Sequence, residues 1–149
     1  MPTLYITGLS ADGRSRIAER REIDPDGRWF EALRLADPVT AITSSSPEVA
    51  LFAAPTVPGG LIVNIYPWRA GQRTPMHRTV TTDIDVVIQG SLTMHLEEES
   101  VELTVGDCAI LPGVAHAWES GPEGAIAMYC LVAGEATGSD IGRHMPPLL

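Results

Sequence analysis

From residue 61 onward, short apolar runs alternate with glycine, proline or acidic residues along the chain. The runs Leu61–Tyr66, Ile84–Gln89, Leu92–Leu96, Val101–Val105, Cys108–Leu111 and Ile126–Val132 are each bounded by such breakers. Strand periodicity is clear in Ser91–Leu96, where Leu92, Met94 and Leu96 share one face and Ser91, Thr93 and His95 the other. A sustained 3.6-residue period is scarce, because twelve prolines and fourteen glycines interrupt the chain. Regularly spaced short strands with such turns predict an all-β sandwich or barrel rather than alternating βαβ units. Glu97-Glu98-Glu99 reads as a solvated hairpin turn before Val101, and His95 as exposed.

The first 60 residues carry a weaker pattern. Gly8–Gly13 reads as a loop, Trp29–Leu35 as a strand or a short helix, and Thr43–Pro47 and Ala54–Gly60 as loops. Residues 1–60 are therefore read as a lead-in to the same domain, adding edge strands and covering one barrel opening. Residues 61–133 form the core and residues 134–149 a tail. No internal repeat is evident.

Composition narrows the function. A chain of 149 residues with 44% apolar and 19% charged residues is the size and kind of one globular domain with a core of its own. Nineteen acidic against ten basic residues leave a formal charge of −9, which repels phosphate backbones, so no nucleic-acid partner is expected. Arg14, Arg16, Arg20 and Arg21 are interleaved with Asp12, Glu19 and Glu22, as on a solvated surface. No secretory leader pattern is found, and the longest apolar run, Ala125–Ala133, is too short to span a bilayer, so no membrane partner is expected. Cys108 and Cys130 lie far apart inside apolar segments, which reads as buried free thiols in a reducing, cytoplasmic compartment.

Chemistry concentrates in two blocks, GQRTPMHRTVTTDIDVVIQG from Gly71 to Gly90 and GDCAILPGVAHAWES from Gly106 to Ser120. His77, Asp83 and His116 supply two imidazoles and a carboxylate, a set that suits a divalent metal such as Fe(II). His77, Thr79 and Asp83 are separated by even numbers of residues, as are Asp85, Val87 and Gln89, so continued extended structure would place them on one face. A turn at Thr81-Thr82 would reset that parity. The second block then delivers a strand bearing His116, and in a small barrel the two strands can be neighbours.

The two blocks resemble the paired motifs of the cupin superfamily. The first reads Gly71, five residues, His77-Arg78-Thr79, three residues, Asp83, six residues and Gly90. The second reads Gly106-Asp107, Pro112, Gly113, His116 and Ser120, with fifteen residues between the blocks. The match covers about half the chain, and its wording is similar to a subgroup of small cupins that keep this threonine. The resemblance implies a jelly-roll (double-stranded β-helix) cupin barrel, a homodimer, and a small-molecule pocket with a divalent metal, Fe, Mn, Ni or Zn. Family members typically bind that metal through three His and one Glu. Carried over residue by residue, the metal ligands and catalytic groups are His77, Asp83 and His116. Thr79 stands where the third imidazole would be, and Asp83 is one methylene shorter than Glu. The neutral hydroxyl of Thr79 is a poor ligand for these ions.

Around that set, Thr79, Asp85, Gln89, Trp118, Tyr66 and Trp68 are candidates to line a substrate pocket, Asp85 as an acid/base partner of Asp83. Arg69, Arg73 and Arg78 could attract a substrate carboxylate or lie on the surface. No G-x-S-x-G, H-E-x-x-H, phosphate-cradling G-x-x-x-x-G-K or zinc-finger cysteine pairing is present. Two functions remain. The first is a metal-dependent enzyme acting on a small aromatic or oxo-acid substrate, of oxygenase, isomerase, lyase or cyclase type. The second is a non-catalytic small-ligand binder with a degenerate metal site.

Overall fold

The structure is a computed structural model that describes residues 2–22, 50–52 and 59–134. Trp29–Leu35, Thr43–Pro47, most of Ala54–Gly60 and the tail beyond residue 134 lie outside the described residues. The described chain is all β, with nine strands: β1 Thr3–Leu9, β2 Ser15–Glu22, β3 Ala50–Phe52, β4 Leu61–Trp68, β5 His77–Thr79, β6 Thr81–His95, β7 Ser100–Thr104, β8 Cys108–Pro112 and β9 Ala117–Ala133. One sheet runs β2-β1-β8-β6-β9-β4 with β7 also paired to β6, and β3 and β5 form a separate parallel pair.

Two long strands organise the fold. β6 fuses the two runs expected as Ile84–Gln89 and Leu92–Leu96, and β9 follows it antiparallel along nearly its whole length. On its other side, β6 pairs β8 through Thr82–Val86 and then exchanges it for β7 through Ser91–His95. The exchange needs a bend, supplied by register shifts between Val87 and Gln89 and between Gly90 and Leu92. Gly90 has φ 72°, and a Cβ there would collide with the carbonyl oxygen of Gly124, so glycine is required at the bend. The bend also shifts the inward face. Asp83, Asp85 and Val87 are buried before it, and Leu92, Met94 and Leu96 after it.

The inward residues of β6, β7, β8 and β9, with Val114 from the segment between β8 and β9, make one core that includes Leu92, Met94, Leu103, Leu111, Trp118 and Ala127. Each fully buried leucine contributes about 1.5–3 kcal/mol, so this core anchors the strands that carry the site. The β1–β2 hairpin adds the edge, with β1 parallel to β8. The acidic hairpin turn, expected to be merely solvated, ties that edge down. Glu97 Oε2 accepts the Ser15 N–H at 2.9 Å and Glu99 Oε1 accepts the Ile17 N–H at 2.9 Å. These carboxylates satisfy donors of an edge strand that would otherwise face solvent.

Candidate functional site

The site is assembled where the two sequence blocks meet. His77 and His116 form an antiparallel bridge, each backbone N–H donating to the other's carbonyl at 2.8 Å. That pairing sets their rings side by side, with centroids 4.5 Å apart and planes at 55°. His77 Nδ1 lies 2.9 Å from the Pro75 carbonyl and His116 Nδ1 2.9 Å from the Val114 carbonyl. A carbonyl only accepts, so both rings carry their proton on Nδ1 and present Nε2 as the basic nitrogen. Burial lowers the pKa of His77 to about 4, with the neighbouring His116 adding to the effect, and burial alone lowers His116 to about 4. Both imidazoles are neutral at neutral pH.

Asp83 sits on β6 on the same side as His77 and Thr79, because the chain bends at Val80 without changing parity. Thr81 therefore also points inward and is fully buried. The Thr79 hydroxyl donates to Asp83 Oδ2 at 3.2 Å, the Thr81 hydroxyl bonds Oδ1, and the two hydroxyl oxygens are 2.6 Å apart. Burial raises the pKa of Asp83 to about 6, while the hydroxyls of Thr81 and Thr79 and then His77 pull the other way. Two residues on, Asp85 is 3% exposed, and neither of its oxygens has a hydrogen-bond partner among the described residues. Burial, reinforced by Asp83, holds its carboxyl well above the usual range.

His77, Thr79, Asp83 and His116 face one cavity of about 340 Å³. Of the residues expected to line a pocket, Tyr66, Trp68, Thr79 and Trp118 do so, whereas Asp85 and Gln89 are not among the lining residues. Gln89 is exposed, because the register shift after Val87 turns it outward. Asp85 is inside the barrel but opposite Tyr129 and Ala109 in register, one step beyond Asp83. Tyr129, Gln72 and Thr74 line the cavity and were not anticipated. Tyr129 could have been found from its even spacing with Ala127 and Ala125 on an inward face. Its hydroxyl accepts from Trp68 Nε1 at 2.9 Å, and Gln72 Nε2 donates to the Tyr66 hydroxyl at 3.0 Å, so the aromatic walls are tied in place.

Several sequence features have structural duties instead. Asp107 accepts the N–H groups of Thr3 at 2.6 Å and Thr104 at 2.8 Å, closing the β7–β8 turn. Ser120 Oγ accepts the Gln72 N–H at 3.0 Å and donates to the Arg69 carbonyl, tying the second block to the loop before the first. Arg69 and Arg73 are exposed, with Arg73 reaching Glu119 at 3.5 Å, and Arg78 is buried; none of the three is among the residues lining the cavity. His95 was expected to be exposed. It is half-buried between Ser100 Oγ at 2.8 Å and Glu119 Oε2 at 3.0 Å. Cys108 and Cys130 are free thiols, half-buried rather than buried, and burial followed by Asp85 pushes the Cys108 thiol up to about 11.

The donor set can be tested against a divalent ion. The two imidazoles meet the requirement, since each has its Nδ1–H fixed by a backbone carbonyl. Asp83 accepts a threonine hydroxyl on each oxygen, and each oxygen keeps a further lone pair. Among the described residues, no three His, Cys, Asp or Glu side chains form a group that could hold a metal ion.

The described all-β fold, with the two motif blocks facing each other across one cavity, is the arrangement that the cupin resemblance of the sequence implies. No family model matches the chain. It is similar to Oryzines biosynthesis cluster protein J of Aspergillus oryzae, 33% identical over 95 residues that cover 60% of this chain and 53% of that protein. It is also similar to Phomopsin biosynthesis cluster protein C' of Diaporthe leptostromiformis, 36% identical over 66 residues, 44% of this chain and 35% of that protein. The chain spans about half the length of the first of these relatives and about a third of the second. Among solved structures it is similar to an RmlC-like cupin from Shewanella frigidimarina, with a TM-score of 0.46 and 16% identity, covering 53% of this chain and 71% of that one.

Proposed function

We propose that this cupin is a small-molecule enzyme whose reaction is a proton transfer in the cavity beside His77, Asp83 and His116. The observation that carries it is their convergence on one cavity of about 340 Å³ walled by Tyr66, Trp68, Trp118 and Tyr129. A carboxyl with a pKa of about 6 both gives and takes a proton near neutrality. Two neutral imidazoles offer Nε2 as hydrogen-bond acceptors to a hydroxyl or enol. Isomerisation, dehydration, decarboxylation or cyclisation are within reach of these groups, and no step is assigned to a metal. The relatives' names, which place them in biosynthesis clusters, support a small-molecule role.

The second reading is a non-catalytic binder, favoured by the hydroxyls that occupy both oxygens of Asp83. Proton NMR in D₂O separates the two, using a panel of small aryl ketones as probes. Accelerated exchange of the α-protons, lost in Asp83→Asn, supports the enzyme. Binding of the ketones without exchange supports the binder.

The working form proposed is a homodimer. Leu61, Val63 and Ile65 of β4 are 61%, 56% and 66% exposed on one strand face, and Met128, Cys130 and Val132 of β9 extend the same face. Among the described residues no strand pairs the outer edge of β4. No helix among the described residues is long and apolar enough to cross a membrane. The net charge argues against a nucleic-acid partner. A cytoplasmic location is proposed from the two free thiols.

A further inference from the structure

We infer that the molecule held in this cavity presents a cationic group, a protonated amine on a flat or aromatic body, to the carboxylate of Asp83. The inference rests on the cavity being the functional site, and it names the chemical class of the occupant. Asp83 is the charged side chain among the described residues that line the cavity, and no lysine or arginine joins it there. Among the described residues its hydrogen-bond partners are two neutral hydroxyls, and none of them gives the buried carboxylate an opposite charge. A buried charge without a counter-charge is unfavourable, and a bound cation would remove the deficit.

A second observation points the same way. Asp85 follows on the same strand face, is 3% exposed, and has no hydrogen-bond partner for either oxygen among the described residues. Two carboxyls in succession leave the cavity lining, among the described residues, without a positive charge of its own, and a bound cation would favour the ionised form of both. Four aromatic residues, Tyr66, Trp68, Trp118 and Tyr129, line the same cavity, and aromatic rings attract cations at their faces. Tyr66 packs edge-to-face on Trp68, with ring centroids 5.1 Å apart. An anionic occupant would meet the reverse. The arginines that could have received a carboxylate are not among the residues lining the cavity. The aromatic half of the sequence expectation is therefore kept, and the oxo-acid half is replaced by an amine.

Three probes of one shape test this with the full chain at neutral pH: phenethylamine, 2-phenylethanol and phenylacetate, titrated by calorimetry or ligand-observed NMR. Phenethylamine is expected to bind roughly tenfold or more tighter than the alcohol, with phenylacetate the weakest. Asp83→Asn is expected to bring the amine-to-alcohol ratio towards one, and Asp85→Asn to reduce it, with thermal unfolding verifying that each variant is folded. Phenylacetate binding as tightly as the amine, or a ratio unmoved in both variants, would overturn the inference and leave the cavity as a site. Failure of all three probes to bind would overturn the inference and the cavity reading together.

Discussion

The hydroxyl of Thr79 lies 3.2 Å from Oδ2 of Asp83, and both side chains are buried against the cavity. The two positions at which the chain departs from the cupin motif are therefore one unit. Where a third imidazole and a glutamate would reach for a metal, a threonine and an aspartate bond to each other. Their geometry holds the carboxylate beside the imidazole pair.

Removing the hydroxyl tests that unit. The Thr79 hydroxyl lowers the pKa of Asp83 against the effect of burial, so Thr79→Val is expected to raise it above its value of about 6. The lost hydrogen bond costs about 1–2 kcal/mol of stability. A carboxyl-resolved NMR titration and a denaturant curve read the two effects. An unmoved Asp83 midpoint would show that Thr79 does not hold the carboxylate.

Asp85 is expected to be a liability to stability. Its carboxyl is buried with neither oxygen hydrogen-bonded among the described residues, and its pKa stands well above the usual range. A raised carboxyl contributes stability at low pH and loses it as pH rises, so at neutral pH its proton preference works against folding. Asp85→Asn removes that penalty and is expected to stabilise by about 1–3 kcal/mol, more at pH 8 than at pH 5. Thermal unfolding at the two pH values measures it. A destabilised variant would indicate a partner for Asp85.

The parts legible in the sequence were those whose signal is local. The strand runs from Leu61 to Val132 and the inward parity of His77, Thr79 and Asp83 could be read from spacing alone. Of the two alternatives open at Thr81-Thr82, parity is kept rather than reset, since the bend falls at Val80 and Thr81 keeps the inward face. Gln89 was misplaced because a register shift between strands has no signature in a single run of residues. β2 was hidden by its charge. Strand Ser15–Glu22 reads as solvated surface, and its N–H partners are carboxylates some eighty residues later, Glu97 and Glu99. The Thr79–Asp83 bond was invisible for a related reason, as the two substitutions were read as separate departures.

Acid sensitivity follows from the imidazole pair. His77 and His116 are lowered from 6.5 to about 4, so their contribution is present above pH 6.5 and is lost as pH falls towards 4. Each alone opposes folding by up to about 3 kcal/mol in that window. Asp83 acts oppositely. Raised from 3.8 to about 6, it adds stability at low pH that is lost as pH rises through 6, up to about 3 kcal/mol. Asp85, whose carboxyl is also raised, works in the same direction as Asp83, so the imidazole contribution is read as the difference between the parent and His116→Gln. Denaturant midpoints check the sign: the parent is expected to lose more stability than His116→Gln between pH 7 and pH 4, and equal losses would contradict a neutral, buried His116.

The exposed face of β4 gives a separate outcome. Val63, 56% exposed, lies centrally between Leu61 and Ile65. Light scattering during gel filtration is expected to give twice the chain mass for the parent protein, and Val63→Asp to halve it without altering the unfolding temperature appreciably. A monomeric parent would remove the dimer from the account.

The most direct test of the site is the metal content of the protein purified without chelator, measured beside His77→Ala and His116→Ala. Among the described residues no three His, Cys, Asp or Glu side chains group to hold an ion, and the expected result is metal well below one ion per chain, unchanged in both variants. About one ion per chain, lost in both variants, would contradict a site that works by proton transfer among its own side chains.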